Sequence, residues 1–394
     1  INLLLIITPF IIVESLARIT YSVRNSESTS DKKENNPRKA HDILHHVWKP
    51  GVYHKSPRNI DITLKINNQR FVEQDDIKKS KSENSLRGVF VGDSNVQGVV
   101  NFEDKMVEIV EGNIGNILDE YINNVEFINS GTSSYSPIIY YVLIKEYLIE
   151  YNPDFIFLCV DMTDLANDDV YKKFAVKDNN GYPLRIIGKE TKNFVLTPTG
   201  YIKRSFLERL KIDLIKYSKT VYYLNRLYYK IAKPKERTID YSSKNTEVAN
   251  WLKEPYDRNT KTALDNSLQY LNGIFDILKE KDIQIFLTGV PHYPQYTDRW
   301  SIKPHFLLDS LASANDVAYL NSYEKLKPKI KGSKQSDYYF DSDPTHFNVK
   351  GNLVWSDIIS DFLLKNLILP EKLHAKIPED VNLSSQKFIK EHQH

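Results

Sequence analysis

Residues 88–95 read GVFV followed by GDSN, and this stretch decides the fold. Gly88 to Val91 is a short apolar run of the kind that forms a strand covered on both faces, and the Gly92-Asp93 pair ends it in a tight turn that carries Ser94. Downstream, Phe102 to Tyr121 places Met106, Ile109, Val110, Ile114, Ile117 and Leu118 at helical spacing. Val125 to Ile128 reads as a second strand and Ile138 to Ile149 as a helix closed by Asn152-Pro153-Asp154. The run Phe155 to Val160 (FIFLCV) is continuously apolar, as a parallel strand with helices on both faces must be. Strands joined by helices in this order predict a parallel sheet with right-handed crossovers.

The alternation lapses between Leu165 and Thr262, read as an insertion with loops at Lys177 to Tyr182 and Pro234 to Asn245 and one Tyr- and Leu-rich helical stretch, Ser205 to Ile231. It resumes with a helix at Ala263 to Lys279, a strand at Ile283 to Val290, a helix near Phe306 to Ala314, a strand at Val317 to Leu320 and a helix at Val349 to Leu367. Residues 371–394 read as a tail. Upstream of Arg87, the segment His41 to Ser56, with Trp48 and a Pro50-Gly51 turn, reads as an extension lying against a main domain that spans 41–370. Residues 25–40 are polar and charged, too poor in apolar groups to offset the entropy of ordering, and read as a linker.

Residues 1–24 open on the uncharged apolar run Ile1 to Val13, broken only by Pro9. It is shorter than the roughly 20 residues needed to cross a bilayer. Extended through Ser15, Leu16 and Ala17 it makes a signal-anchor; as it stands it is the core of a signal peptide. Both point to an exported protein that is membrane-anchored or periplasmic, although Arg18, Arg24, Lys32 and Lys33 follow the run, where the positive-inside rule disfavours them. With 53 basic against 51 acidic side chains and no charged block, a nucleic-acid partner has no support. The single cysteine, Cys159, lies inside an apolar run and reads as a buried thiol. No zinc-type Cys/His spacing, Walker loop or Gly-x-Gly-x-x-Gly occurs, so no metal or other cofactor is expected. Oligomeric state is not legible.

Ligands of open parallel sheets bind beyond the carboxyl ends of the strands. There the chain carries Gly92-Asp93-Ser94-Asn95 after the first strand, Asn129-Ser130-Gly131 after the second and Asp161-Met162-Thr163-Asp164 after the third. Asp343-Pro344-Thr345-His346-Phe347-Asn348 precedes the final helix. A serine becomes a nucleophile only when a base takes its proton, and that base needs a carboxylate to hold its tautomer. The spacing of Asp343 and His346 predicts that one turn presents both.

These blocks, in this order over residues 87–367, resemble those of the SGNH (GDSL-type) serine hydrolases, and the stretch Gly289 to Gln295 looks like the substrate-side loop of members associated with surface polysaccharides. The resemblance implies a three-layer α/β/α, flavodoxin-like fold with a parallel sheet, here preceded by the apolar anchor. It implies Ser94 as nucleophile, His346 as general base and then acid, and Asp343 as the group orienting the imidazole. The oxyanion would be held by the backbone N–H groups of Ser94 and Gly131 and by a third donor. Where the family reads Gly-x-Asn-Asp, this chain reads Asp161-Met162-Thr163-Asp164, so Thr163 stands in for the asparagine donor, with Asn167 one turn later as a substitute. Asp93, Asn95, Asp164, His292 and Gln295 are expected to face substrate, the last two on the loop Gly289 to Gln295. The implied function is hydrolysis or transfer of an O-acyl group, acetyl above all, on a cell-envelope carbohydrate. A non-catalytic carbohydrate-binding or assembly protein on the same fold is the alternative, and a lipase-like esterase a weaker one.

Overall fold

The computed structural model describes residues 9, 11–20, 37–55, 61–188, 194–197, 200–203, 214, 217–221, 223, 224, 227 and 249–369. In chain order its strands are β1 (Arg38–His41), β2 (His45–Trp48), β3 (Gly51–Lys55), β4 (Ile62–Ile66), β5 (Ser85–Val91), β6 (Asn124–Asn129), β7 (Phe155–Asp161), β8 (Ala175–Lys177) and β9 (Pro183–Ile186). They continue with β10 (Phe194–Thr197), β11 (Gly200–Lys203), β12 (Gln284–Val290), β13 (Ala318–Leu320), β14 (Tyr339–Phe340) and β15 (Asp343–Phe347). We number the α-helices α1 (Ser94–Gln97), α2 (Met106–Leu118), α3 (Pro137–Leu143), α4 (Asp164–Tyr171), α5 (Arg258–Glu280), α6 (Tyr293–Tyr296), α7 (Lys303–Ala314), α8 (Ser322–Ile330) and α9 (Val349–Asn366).

The chain divides into two compact units, one of Ile1–Pro37 with Glu190–Asp240 and one of Arg38–Lys189 with Tyr241–His394. In the first, residues 11–20 are helical and β10 pairs antiparallel with β11. The Glu14 carboxylate accepts the Lys219 and Thr220 N–H groups and the Ser218 hydroxyl at 2.9, 3.0 and 2.8 Å, which holds its pKa down at about 2. Among the described residues no helix is long and apolar enough to cross a membrane. Residues 1–8, most of the linker and most of the expected helix Ser205–Ile231 lie outside the described residues.

The second unit is built on a five-stranded sheet in the order β13-β12-β7-β5-β6, every pair parallel. Numbered within the sheet, this is the 2-1-3-4-5 order of flavodoxin-like folds, whose strand order reverses beside the first strand. All of β5 and β7 is buried, because helices cover both faces. On one face Phe127, Phe90, Phe157 and Phe286 form a row across four strands with ring centroids 5.5, 5.3 and 6.1 Å apart. Phe362 of α9 meets Phe157 and Phe286 edge-on at 6.2 and 5.7 Å, and α2 and α8 complete this layer. On the other face α7 packs so closely on β12 that a Cβ at Gly289 would sit 2.7 Å from the His305 ring. Of the expected insertion, α4, the β8–β9 hairpin and residues 249–262 belong to this same unit.

β6 is an edge strand, and its outward N–H groups are capped by carboxylates. Glu111 accepts from Phe127 at 2.5 Å and Glu73 from Asn129 at 2.7 Å, which closes the edge to a further strand. Burial raises Glu111 to about 7; burial and then Glu111 raise the neighbouring Glu108 to about 8. A carboxyl whose folded pKa is raised contributes stability below its unfolded value near 4.5 and loses it as pH rises through the folded value. The melting temperature is therefore expected to fall between pH 6 and pH 9, and Glu108→Gln to flatten that fall; thermal melts across this range check it.

Candidate active site

β5 ends at Val91, and Gly92 turns the chain where a side chain has no room: a Cβ there would lie 2.3 Å from Val96 Cγ2 and 3.1 Å from the Cys159 carbonyl. Asp93 then caps α1, its Oδ1 accepting the Asn95 N–H at 2.9 Å, which places Ser94 at the first helical position. The Ser94 N–H, first in its helix, has no carbonyl in its own turn to bond. From the far end of the chain, the hairpin β14–β15 delivers Asp343 and His346. The hairpin is anchored by the Tyr339 hydroxyl on the Pro291 carbonyl at 2.9 Å and by Phe347, stacked between Tyr339 and Trp355 at 4.6 and 5.2 Å. Asn348 caps α9 immediately after it, accepting the Gly351 N–H at 2.9 Å.

Here Ser94 Oγ lies 2.7 Å from His346 Nε2, and His346 Nδ1 lies 2.8 Å from Asp343 Oδ2. The carboxylate fixes the proton on Nδ1, leaving Nε2 to accept from the serine. The His346 and Asp343 side chains are 15% and 17% exposed, and Ser94 is half-buried. Asp343 and His346 sit on an extended strand and not on the single turn expected. What brings them side by side is Thr345, which the sequence reading passed over: its N–H and hydroxyl both donate to Asp343 Oδ1, at 2.9 and 2.6 Å, folding the segment back on its own carboxylate. The Thr345 oxygen also lies 2.9 Å from His346 Nδ1. A Thr two residues after an Asp was the available signal.

The donors expected for an oxyanion are placed differently. The Gly131 N–H is spent on Asn129 Oδ1 at 3.1 Å. The Thr163 hydroxyl donates to Asp161 Oδ1 at 2.7 Å, so its single proton is committed and, in this arrangement, it offers none to substrate. Asn167, on α4 one turn beyond Thr163, is half-buried, and its side-chain amide has no hydrogen bond among the described residues.

Under Ser94 lies a buried polar cluster centred on Asp161, which takes the position of the glycine in the family's third block. Asp161 accepts from Asn95 Nδ2 at 2.8 Å, His292 Nε2 at 2.9 Å and the Thr163 N–H at 2.8 Å, besides the Thr163 hydroxyl. Burial alone would raise it; the His292 and Thr163 bonds outweigh burial, and its pKa is lowered. Burial first, and then the neighbouring carboxylates, push Asp93 and Asp164 well above the usual carboxylate range. The Ser94 hydroxyl also lies 3.1 Å from Asp93 Oδ2. The oxygens of Asp93, Asp161 and Asp164 lie within 4.8 Å of one another, but both Asp161 oxygens are filled by donors, and only Asp164 Oδ1 lacks a partner. That is poor provision for a cation.

Five residues expected to face substrate are instead buried beneath the site. Asp93, Asn95 and Asp164 are tied into the cluster, with Asp164 also accepting the Tyr140 hydroxyl at 3.0 Å. His292 and Gln295 are fully enclosed: Gln295 accepts the His292 N–H at 2.9 Å and donates to the Ser301 carbonyl at 2.9 Å. His292 turns inward to the buried Asp161 carboxylate, and Gln295 follows it by accepting the His292 N–H. Gly131 backs directly onto α1, and a Cβ there would sit 2.2 Å from the Gln97 nitrogen and 2.7 Å from the Val96 carbonyl carbon. Gly131→Ala is therefore expected to displace α1 and to lower the melting temperature by several degrees; a thermal melt beside that of the unmodified protein checks it.

No family model and none of the curated proteins matches this chain. Solved structures similar to it include an acetyl xylan esterase, 14% identical over 72% of this chain and 100% of that one, TM-score 0.38. An acetylxylan esterase from Geobacillus stearothermophilus is 12% identical over 72% and 96%, TM-score 0.39. A GDSL-like lipase from Bacteroides thetaiotaomicron is 12% identical over 71% and 89%, TM-score 0.34. At these scores the likenesses carry no argument about activity, which rests on the residues of the site.

Proposed function

We propose that this chain is a serine-dependent esterase or O-acyltransferase that works through an acyl-serine intermediate. The observation that carries the reading is the unbroken chain from Ser94 through His346 to Asp343, at 2.7 and 2.8 Å, on a serine that is only half-buried. Ser94 Oγ attacks the ester carbonyl as its proton passes to His346 Nε2, and Asp343 stabilises the imidazolium. The imidazolium returns the proton to the departing alkoxide. His346 then takes a proton from water, giving hydrolysis, or from a sugar hydroxyl, giving transfer, as that oxygen attacks the acyl carbonyl; the acyl–serine bond breaks and the imidazolium returns the proton to Ser94 Oγ. The substrate we assign is an O-acetylated carbohydrate of the cell envelope, and residues 1–24 would export or anchor the protein.

A second reading, a carbohydrate-binding protein without turnover, is favoured by the commitment of the Gly131 N–H and the Thr163 hydroxyl to partners inside the protein. Release of p-nitrophenol from its acetate, measured with and without a sugar acceptor, separates the readings. Turnover supports the enzyme, an acceptor-dependent rate supports transfer, and no turnover or fluorophosphonate labelling in folded protein supports the binder. If Asn167 is the side-chain donor to the oxyanion, Asn167→Ala lowers kcat by about 10²–10³ while Thr163→Val changes it little. The reverse pattern returns the role to Thr163.

A further inference from the structure

A cavity of about 370 Å³ lies apart from the triad, which contributes nothing to its lining. Its walls come from β1–β2, the turn after β4, the π-helical turn that extends α3, and the loop residues Ser130 and Thr132 on either side of Gly131. Its size is that of a small-ligand site. The apolar part includes Leu44, Phe71 and the Trp48 ring.

The polar part has one character. Arg70 is half-buried, lines the cavity, and has neither an ion pair nor a side-chain hydrogen bond among the described residues. It is presented by a turn that holds it at φ 74°, a region few side chains adopt. That turn is tied by Asn67, whose carbonyl accepts the Arg70 N–H at 3.0 Å and whose side chain accepts the Phe71 N–H and donates to the Asp75 carbonyl, both at 2.9 Å. The hydroxyls of Tyr147 and Tyr151 carry no hydrogen bond among the described residues. His41 Nδ1 accepts the Ile43 and Leu44 N–H groups at 3.3 and 3.1 Å, so the proton of the neutral ring sits on Nε2, as a donor. Lys79 and Glu150, which also line the cavity, neutralise each other in an ion pair.

The cavity is thus left with one uncompensated positive charge on a planar fork, unspent hydroxyls and aromatic walls. A guanidinium matches a carboxylate through two parallel hydrogen bonds, and a single charge suits a monoanion better than a phosphate dianion. Hydroxyl donors and ring faces suit the remainder of a sugar. We infer that this cavity is a second binding site, for a carboxylate-bearing sugar unit, gripped by Arg70 and seated among Tyr147, Tyr151 and His41. It stands whether or not Ser94 is catalytic. Because Ser130 and Thr132 line it while Gly131 abuts α1, one loop borders both the cavity and the nucleophile helix.

The test is calorimetric titration of the full chain with D-glucuronate, D-glucose and acetate, on wild type and on Ser94→Ala, Arg70→Asn and Tyr147→Phe. Asparagine is chosen because it tolerates the left-handed backbone at position 70. Expected are saturable glucuronate binding, equal in wild type and Ser94→Ala, and binding at least about tenfold weaker for glucose, for acetate and in Arg70→Asn. Tyr147→Phe is expected to weaken it by about threefold to tenfold, and it keeps the test decisive should Arg70→Asn melt early. The inference is overturned if glucuronate does not saturate, if glucose or acetate binds as tightly, or if neither Arg70→Asn nor Tyr147→Phe weakens binding. Loss of binding in Ser94→Ala would overturn it as well, by placing the sugar at the triad.

Discussion

Replacing Ser94 by alanine is expected to abolish fluorophosphonate labelling and to lower ester turnover by about 10³ or more, to the level the remaining site gives. The hydroxyl touches only His346 Nε2 and Asp93 Oδ2, so its removal leaves the packing intact and the melting temperature unchanged. His346→Ala should cost about as much, and the double variant little more, because the pair acts as one proton-transfer unit. Measured kcat for the three variants decides it. Unchanged turnover in Ser94→Ala would move the chemistry elsewhere on the molecule and end the proposal.

Asp343→Asn is expected to lower kcat by up to about 10⁴ with little loss of stability. An amide can donate to Nδ1, which shifts the ring proton to Nε2 and leaves the serine no acceptor. It also withdraws the charge that stabilises the imidazolium. Thr345→Val tests the supporting contact: it removes the hydroxyl donated to Asp343 Oδ1 at 2.6 Å but keeps the carboxylate, so a loss of about tenfold or less in kcat is expected. A Thr345→Val loss as deep as that of Asp343→Asn would mean that the segment, not the charge, sets the rate.

How much of this the sequence carried varied with how local the determining forces are. The strands β5, β7 and β12 were legible to within a few residues because strands buried on both faces must be apolar throughout. The helix α8 went unread, although Asn321 caps it by accepting the Glu324 N–H, because Lys and Pro328 obscure its periodicity. The pair β1–β2 was missed because a short, mixed strand such as RKAH carries little alternation, whereas in β3–β4 the strand ITLKI does alternate, with Ile62, Leu64 and Ile66 buried, but over only five residues. At the site, the order of the blocks singled out Ser94, Asp343 and His346, whose side chains the fold brings into hydrogen-bonding reach. The direction in which polar loop residues point was not legible: His292 turns inward to Asp161, a partner 131 positions away, and only the tertiary fold creates that attraction. Thr163 is hidden for a related reason, since its hydroxyl is captured by a carboxylate standing where the family has a glycine.

The imidazole follows the serine by 252 positions, and it arrives on a hairpin pinned by Tyr339, Phe347 and Trp355. During synthesis the nucleophile therefore emerges long before its base. On the proposed mechanism, a nascent chain that has folded the sheet through β12 holds Ser94 without its base until the last hairpin docks.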